Sequence, residues 1–306
     1  MRSVFALAAA ALGALALLAG CGGSGDVPST HGAQLGRFHA ARAFGDLKAQ
    51  VAIGPRPAGS RGSRREVELI VRRLREAGVG EVRVQRPYRN VVARIPGGEP
   101  GTVVAGAHYD TKDITGFVGA NDGASGVAVL LELARDLPGR LDGPSLDLVF
   151  FDAEESPRGQ SFERGADRGS EQFVRYARRG GEGGSPPLSR ILAMVLFDMV
   201  GDCDLAVPRE ANSDPALYST FQGAARRASA SNSSAPFEGE APGILDDHTP
   251  FIEAGMPALD LIDFDYGPGP TPGAWWHTTQ DDLGHVCARS LGAVGEPALA
   301  ALPSIR

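Results

Sequence analysis

The chain has 306 residues, 42% hydrophobic and 22% charged, a composition that suits a globular protein and excludes a disordered or collagen-like one. Its 30 basic and 37 acidic side chains leave a formal charge of −7, so there is no overall basic excess with which to hold a nucleic-acid backbone. The 41 glycines and 22 prolines make it rich in turns without reaching low complexity.

Met1-Arg2 is followed by an uncharged, mostly apolar run over residues 4–19. By length alone it fits either a secretory segment or a short membrane helix. Leu18-Ala19-Gly20-Cys21 then places small residues just ahead of a cysteine. This resembles the lipobox of bacterial lipoproteins, which implies a signal peptide over 1–20 and a diacylated Cys21 as mature N-terminus. Gly22-Gly23-Ser24-Gly25 opens a flexible tether over 21–35. The expectation is an exported protein held to the membrane only by lipid, with a folded domain over 36–306. Of the three cysteines, Cys203 and Cys287 are left over. They are free to pair or not, and neither lies in a CxxC pair that would suggest thiolate-bound zinc.

Phe44, Leu47 and Val51 recur at helical spacing, and Gly54-Pro55-Arg56-Pro57 ends that helix. Ser63 is read as the cap of a second helix that presents Val67, Ile70, Val71 and Leu74 on one face. Val82 and Val84 alternate with polar residues as in a half-buried strand. Residues 90–95 and 102–107 are apolar and β-branched, and read as a strand pair joined through Pro96-Gly97-Gly98. A helix follows over about 126–137. Residues 146–151, 191–197 and 258–262 are nearly unbroken apolar runs, as strands buried on both faces require. Helices near 169–178, 215–230 and 248–254 separate them. The alternation predicts an α/β fold, a three-layer α/β/α sandwich with a mostly parallel central sheet.

Polar residues gather where these strands end, the edge at which open α/β sheets bind ligands. His108-Tyr109-Asp110 follows one strand, Asp152-Ala153-Glu154-Glu155 another, and Asp198 a third. Asn121-Asp122, Asp246-Asp247-His248 and Trp275-Trp276-His277 stand nearby in the chain. A single Asp at a strand end reads as a helix cap. A recurring set of imidazoles and carboxylates without thiolates suits zinc.

His108-Tyr109-Asp110, the glycine-rich run from Gly119 through Asn121-Asp122 to Gly126, Phe151-Asp152-Ala153-Glu154-Glu155, Asp198 and Trp276-His277-Thr278 together resemble the motif series of metallopeptidase family 28. That family contains co-catalytic zinc aminopeptidases and glutaminyl cyclases. The resemblance implies that Asp122 bridges two metals, with His108 and Asp198 completing one site and Glu155 and His277 the other. It makes Glu154 the general base, and it leaves Asp110 to orient His108.

The cyclase branch is the leading expectation. Asp246-Asp247-His248, Trp276 before His277 and Lys112 after the first motif all resemble it. It implies one zinc on Asp122, Glu155 and His277, with Glu154 relaying a proton beside Asp198 and Asp246 while Trp276 packs on the substrate. The substrates would be peptide or protein N-termini. The chain departs from animal cyclases in lacking a Trp in the loop after Glu155, in having Asp260 where they carry His, and in lacking their cysteine pair around the first motif. An aminopeptidase with two zinc ions is the alternative, and an inactive metal-binding lipoprotein the third reading. Loops 109–120, 156–168 and 264–275 are expected to form the rim. Asp260, Asp263 and Asp265 are candidates to receive a substrate amine.

Overall fold

The chain runs α1 (Ala40–Val51), α2 (Arg61–Glu76), β1 (Glu81–Val84), β2 (Val91–Ile95), β3 (Thr102–His108), α3 (Ser125–Asp136), β4 (Ser145–Phe151), α4 (Phe162–Gly165), α5 (Arg168–Arg178), β5 (Ile191–Asp198), β6 (Arg209–Glu210), α6 (Pro215–Ala228), β7 (Glu240–Ala241), α7 (Thr249–Glu253), β8 (Ala258–Ile262) and α8 (Ala288–Ala301). These come from a computed structural model that describes residues 37–229 and 235–306. The expected signal peptide, Cys21 and the tether lie outside the described residues. Among those described, no helix is long and apolar enough to cross a membrane.

Six strands form one sheet in the order β1-β2-β4-β3-β5-β8. β4, β3, β5 and β8 run parallel, and β1 and β2 add an antiparallel edge. The central strands are apolar on both faces because both are covered. Val103, Ala105 and Ala107 of β3 pack with Leu47 of α1, Ile70 of α2, Leu130 of α3 and Val294 of α8. Val104, with Met194 and Leu196 of β5, faces Phe173 of α5 and Phe251 of α7 instead. That is the three-layer sandwich read from the strand pattern.

Two local expectations change, and one helix was not foreseen. β2 and β3 do not pair with each other, because β4 lies between them, antiparallel to β2 and parallel to β3. The connection passes so close to the chain entering β4 that a Cβ on Gly97 would meet the Gly143 carbonyl oxygen at 2.3 Å, so it leaves a slot rather than folding back as a hairpin. The cap of α2 is Ser60, whose hydroxyl accepts the Ser63 amide at 3.0 Å; Ser63 is the residue served, not the cap. Helix α8 was not legible, because Gly292, Gly295 and Pro297 break its apolar rhythm. Gly295 is needed there: a Cβ would meet the Phe38 ring at 2.2 Å.

Cys203 and Cys287 are bonded, with Cα atoms 4.9 Å apart. The bond joins the loop after β5 to the segment before α8, alongside hydrogen bonds from Cys203 N–H to His285 O and from Cys287 N–H to Gly201 O.

Candidate active site

Parallel strands deliver their last residues to one edge. His108 ends β3, Asp198 ends β5, Glu154 and Glu155 follow β4, and Asp122 stands just ahead of α3. His277 comes in on the loop between β8 and α8 with φ at 53°. His108 Nε2 lies 3.2 Å from Asp122 Oδ1 and 3.2 Å from Asp198 Oδ1. His277 Nε2 lies 3.3 Å from Asp122 Oδ2 and 3.2 Å from Glu155 Oε1. One carboxylate thus serves two imidazoles, one oxygen to each. The result is two triads that share Asp122, and within each the three donor atoms lie within 4.8 Å of one another.

The donor set fits a metal. Asp122 Oδ2 and Glu155 Oε1 are buried and make no hydrogen bond, although they converge with His277 Nε2. Buried carboxylate oxygens are costly to leave without a partner, and a cation at their meeting point would satisfy them. The electrostatics agree. Burial works against charge on Asp122, yet His108 and His277 hold it well below the usual carboxylate range. Burial also pulls His277 down, but Asp122 and Glu155 outweigh it and lift the imidazole to about 9.

Three groups hold the donors in place. Asp281 accepts the amides of Asn121 and Asp122 at 2.7 and 3.1 Å. Lys112 Nζ donates to Glu155 Oε2 at 2.9 Å and to Ser156 Oγ at 2.8 Å, which leaves Oε1 to face His277. Fully buried Arg56 donates to the carbonyls of Tyr109, Val118 and Gly119, knitting together the loops that flank His108 and Asp122. Asp110 differs from its expected role. Its Oδ1 is 3.8 Å from His108 Nδ1, too far for a hydrogen bond. Instead its two oxygens accept the amides of Glu154 and Glu155 at 3.1 and 3.3 Å, at the turn where Ala153 takes φ of 59°. Asp110→Ala is therefore expected to weaken zinc binding about 10–100-fold through misplaced Glu155, read by competition with a chromogenic chelator. Asp113→Ala, which breaks only the exposed pair with Arg158, should leave that affinity unchanged.

Glu154 sits apart from the triads, its Oε2 3.7 Å from His108 Nδ1. With Asp167 and Asp246 it forms a third group whose carboxylate oxygens lie within 4.8 Å of one another. Burial, then the neighbouring carboxylates including Glu155, Asp167 and Asp247, push Glu154 well above the ordinary glutamate range, against a lowering by His108. Asp246 is raised by burial and by Asp260, Asp198 and Glu154. Burial and the mutual repulsion of these acids favour their protonated forms.

A cavity of about 330 Å³ opens over the shared carboxylate, walled by Glu154, Asp198, Asp246, Phe162, Phe264 and Trp276 among others. Trp276 stacks on His277 with ring centroids 3.7 Å apart and packs edge-on to Phe264. The rim expected from loop 109–120 is absent from the wall; the stretch 243–246 takes part instead. Asp260 is fully buried, with Oδ2 3.9 Å from His248 Nδ1, and does not line this cavity.

The model of peptidase family M28 matches residues 90–302. The chain belongs to peptidase family M28. This M28 chain is 31% identical over 225 residues to a bovine (Bos taurus) glutaminyl-peptide cyclotransferase-like protein, a match covering 63% of this chain and 54% of the relative. It thus spans about half the length of that curated relative. Among solved structures, an Acidobacteriales bacterium glutaminyl cyclase superposes with a TM-score of 0.77 at 32% identity, covering 89% of this chain and 96% of the other. A leucine aminopeptidase precursor from Bacteroides thetaiotaomicron gives 0.74 at 25% identity, covering 90% and 100%. The fold is common to both activities.

The parts played by Asp167 and Asp281, and the contact of Asp110 to the amides, were not read from the M28 chain's sequence. Asp281, four residues after His277, was the most accessible of them, but spacing alone does not say which amides it accepts.

Proposed function

We propose that this chain is a zinc-dependent glutaminyl cyclase that converts N-terminal Gln of peptides or proteins to pyroglutamate with loss of ammonia. The observation that carries the reading is the pairing of Glu154 with Asp246 in a buried acidic pocket beside the metal triads. A cyclase needs a carboxyl that takes a proton from the substrate and returns it to the leaving group, and a buried carboxyl flanked by acids suits that exchange. Asp122, Glu155 and His277 would hold the zinc. When bound, zinc supplies Lewis-acid polarisation of the γ-carboxamide. As the α-nitrogen bonds to the carboxamide carbon, Glu154 takes its proton and delivers it to the departing nitrogen, which leaves as ammonia. Asp246 and Asp167, in the same buried group, keep Glu154 in a state that can do both, with Asp198 beside it on the cavity wall. Trp276, stacked on His277, packs against the substrate side chain and excludes water, which would otherwise compete for the carbonyl.

A specific observation favours a second reading, the aminopeptidase. The triad of His108, Asp122 and Asp198 is complete, so a second zinc and a hydrolytic water have a place. Mass spectrometry of a peptide with N-terminal Gln, incubated with the zinc-loaded domain, separates the two. Loss of ammonia from an intact peptide supports the cyclase, whereas release of a free amino acid supports the aminopeptidase.

The export reading is part of the same proposal: residues 1–20 are a signal peptide, 21–35 a tether, and 36–306 the enzyme domain anchored through lipid on Cys21. Cys21→Ser is expected to move the protein from the membrane fraction to the soluble fraction of an expressing bacterium with specific activity unchanged. Retention in membranes would overturn the anchor.

A further inference from the structure

Beside the metal cavity lies a second, smaller one of about 170 Å³, and the two share Ile244, Ile262 and Phe264 as a common wall. Its lining is mainly apolar, with Pro208, Pro242, Ile262 and Phe264, and it also includes Asp263 and Asp265. Among the described residues, neither carboxylate is in an ion pair; their partners are amides and a hydroxyl. Asp263 accepts the amides of Ala206 and Asp265 at 2.8 and 3.3 Å, and Asp265 accepts the Thr271 hydroxyl. Glu210, also on this wall, is turned inwards to the amides of Asn212 and Ile244 and to the Ser213 hydroxyl. The nearby Arg209 is engaged by Glu240 at 2.7 Å.

We propose that this cavity is a specificity subsite for a lysine or arginine side chain at the second position of the peptide substrate. The inference rests on the reading that the enzyme acts at peptide N-termini. With the N-terminal residue over Asp122, the next residue crosses the wall of Ile244 and Phe264. Successive residues lie about 3.8 Å apart, so a long side chain there reaches the second cavity. Lysine and arginine carry an apolar stem beneath a charged head, which matches an apolar pocket with an acidic flank. A shorter apolar side chain would gain only the burial, and an acidic one would meet Asp265 and Asp263. Burial lifts Asp263 to about 7, so a bound cation would also draw it into its charged form.

The test compares turnover of Gln-Lys-Gly, Gln-norleucine-Gly and Gln-Glu-Gly amides by the zinc-loaded full domain. The expected order of kcat/KM is Lys above norleucine above Glu, with each step about 3–10-fold. Asp265→Asn should collapse the Lys-to-norleucine ratio, and Asp265→Lys, at an exposed position, should place Glu above Lys. Ratios near one, or ratios that persist in Asp265→Lys, overturn the subsite. Absence of ammonia release from all three peptides instead overturns the cyclase. The subsite is then read separately from binding of the same peptides to zinc-loaded Glu154→Gln protein by tryptophan fluorescence. There the same charge order supports the subsite, and no order refutes it.

Discussion

Glu154→Gln is expected to lower kcat by about 10²–10⁴-fold, the usual worth of a positioned general acid–base, while bound zinc stays at the wild-type level. Glu154 is outside both metal triads. It is 6% exposed on the cavity wall, and its raised pKa follows from burial and from the acids around it. Glutamine preserves the size and the hydrogen-bonding shape but cannot carry a proton from one nitrogen to another. Turnover and metal content, measured on one preparation, give the answer. If zinc leaves together with activity, Glu154 is a ligand and the proton relay must be sought elsewhere. The cyclase and aminopeptidase readings both require this residue, so the result tests what they share.

Asp122→Ala is expected to remove metal and activity together. It supplies an oxygen to each triad, at 3.2 Å from one imidazole and 3.3 Å from the other. Loss of a supporting residue costs about 10–100-fold in metal affinity, and loss of the shared donor should exceed that. Metal analysis after dialysis against a weak chelator checks it. Truncating His108 then divides the two chemistries. A cyclase with one zinc on Asp122, Glu155 and His277 keeps its metal in His108→Ala, whereas an enzyme with two falls from two zinc ions to one. Retention of full zinc content by Asp122→Ala would remove it from the centre of the site. These variants leave the apolar clusters on either side of the sheet untouched, so folding, followed by circular dichroism, should be preserved.

Local sequence carried the elements because their signals are local. Apolar runs without alternation marked β4, β5 and β8, and each is buried on both faces. Helix α3 was legible from one stripe of Val127, Leu130, Leu131 and Ala134. Helix α8 was not, since Gly295 answers to Phe38 and Gly292 to Ala40, both more than two hundred residues away in the chain. The family resemblance assigned residues to the site for the same reason: donor types and their order along the chain are written in the sequence.

What the chain alone determined is therefore the layer architecture, the edge at which chemistry gathers and which residues stand there as candidate donors. Only the tertiary structure decided which atoms meet. It placed β4 between β2 and β3, turned Asp110 from His108 to the amides of Glu154 and Glu155, and brought Lys112 to one oxygen of Glu155 and His277 to the other. It also joined Cys203 to Cys287 across 84 residues and opened a second cavity behind Ile244 and Phe264. Propensity and periodicity act over one or two turns of chain, whereas register, convergence and cavities are set by contacts between segments far apart. No single segment of the sequence encodes them.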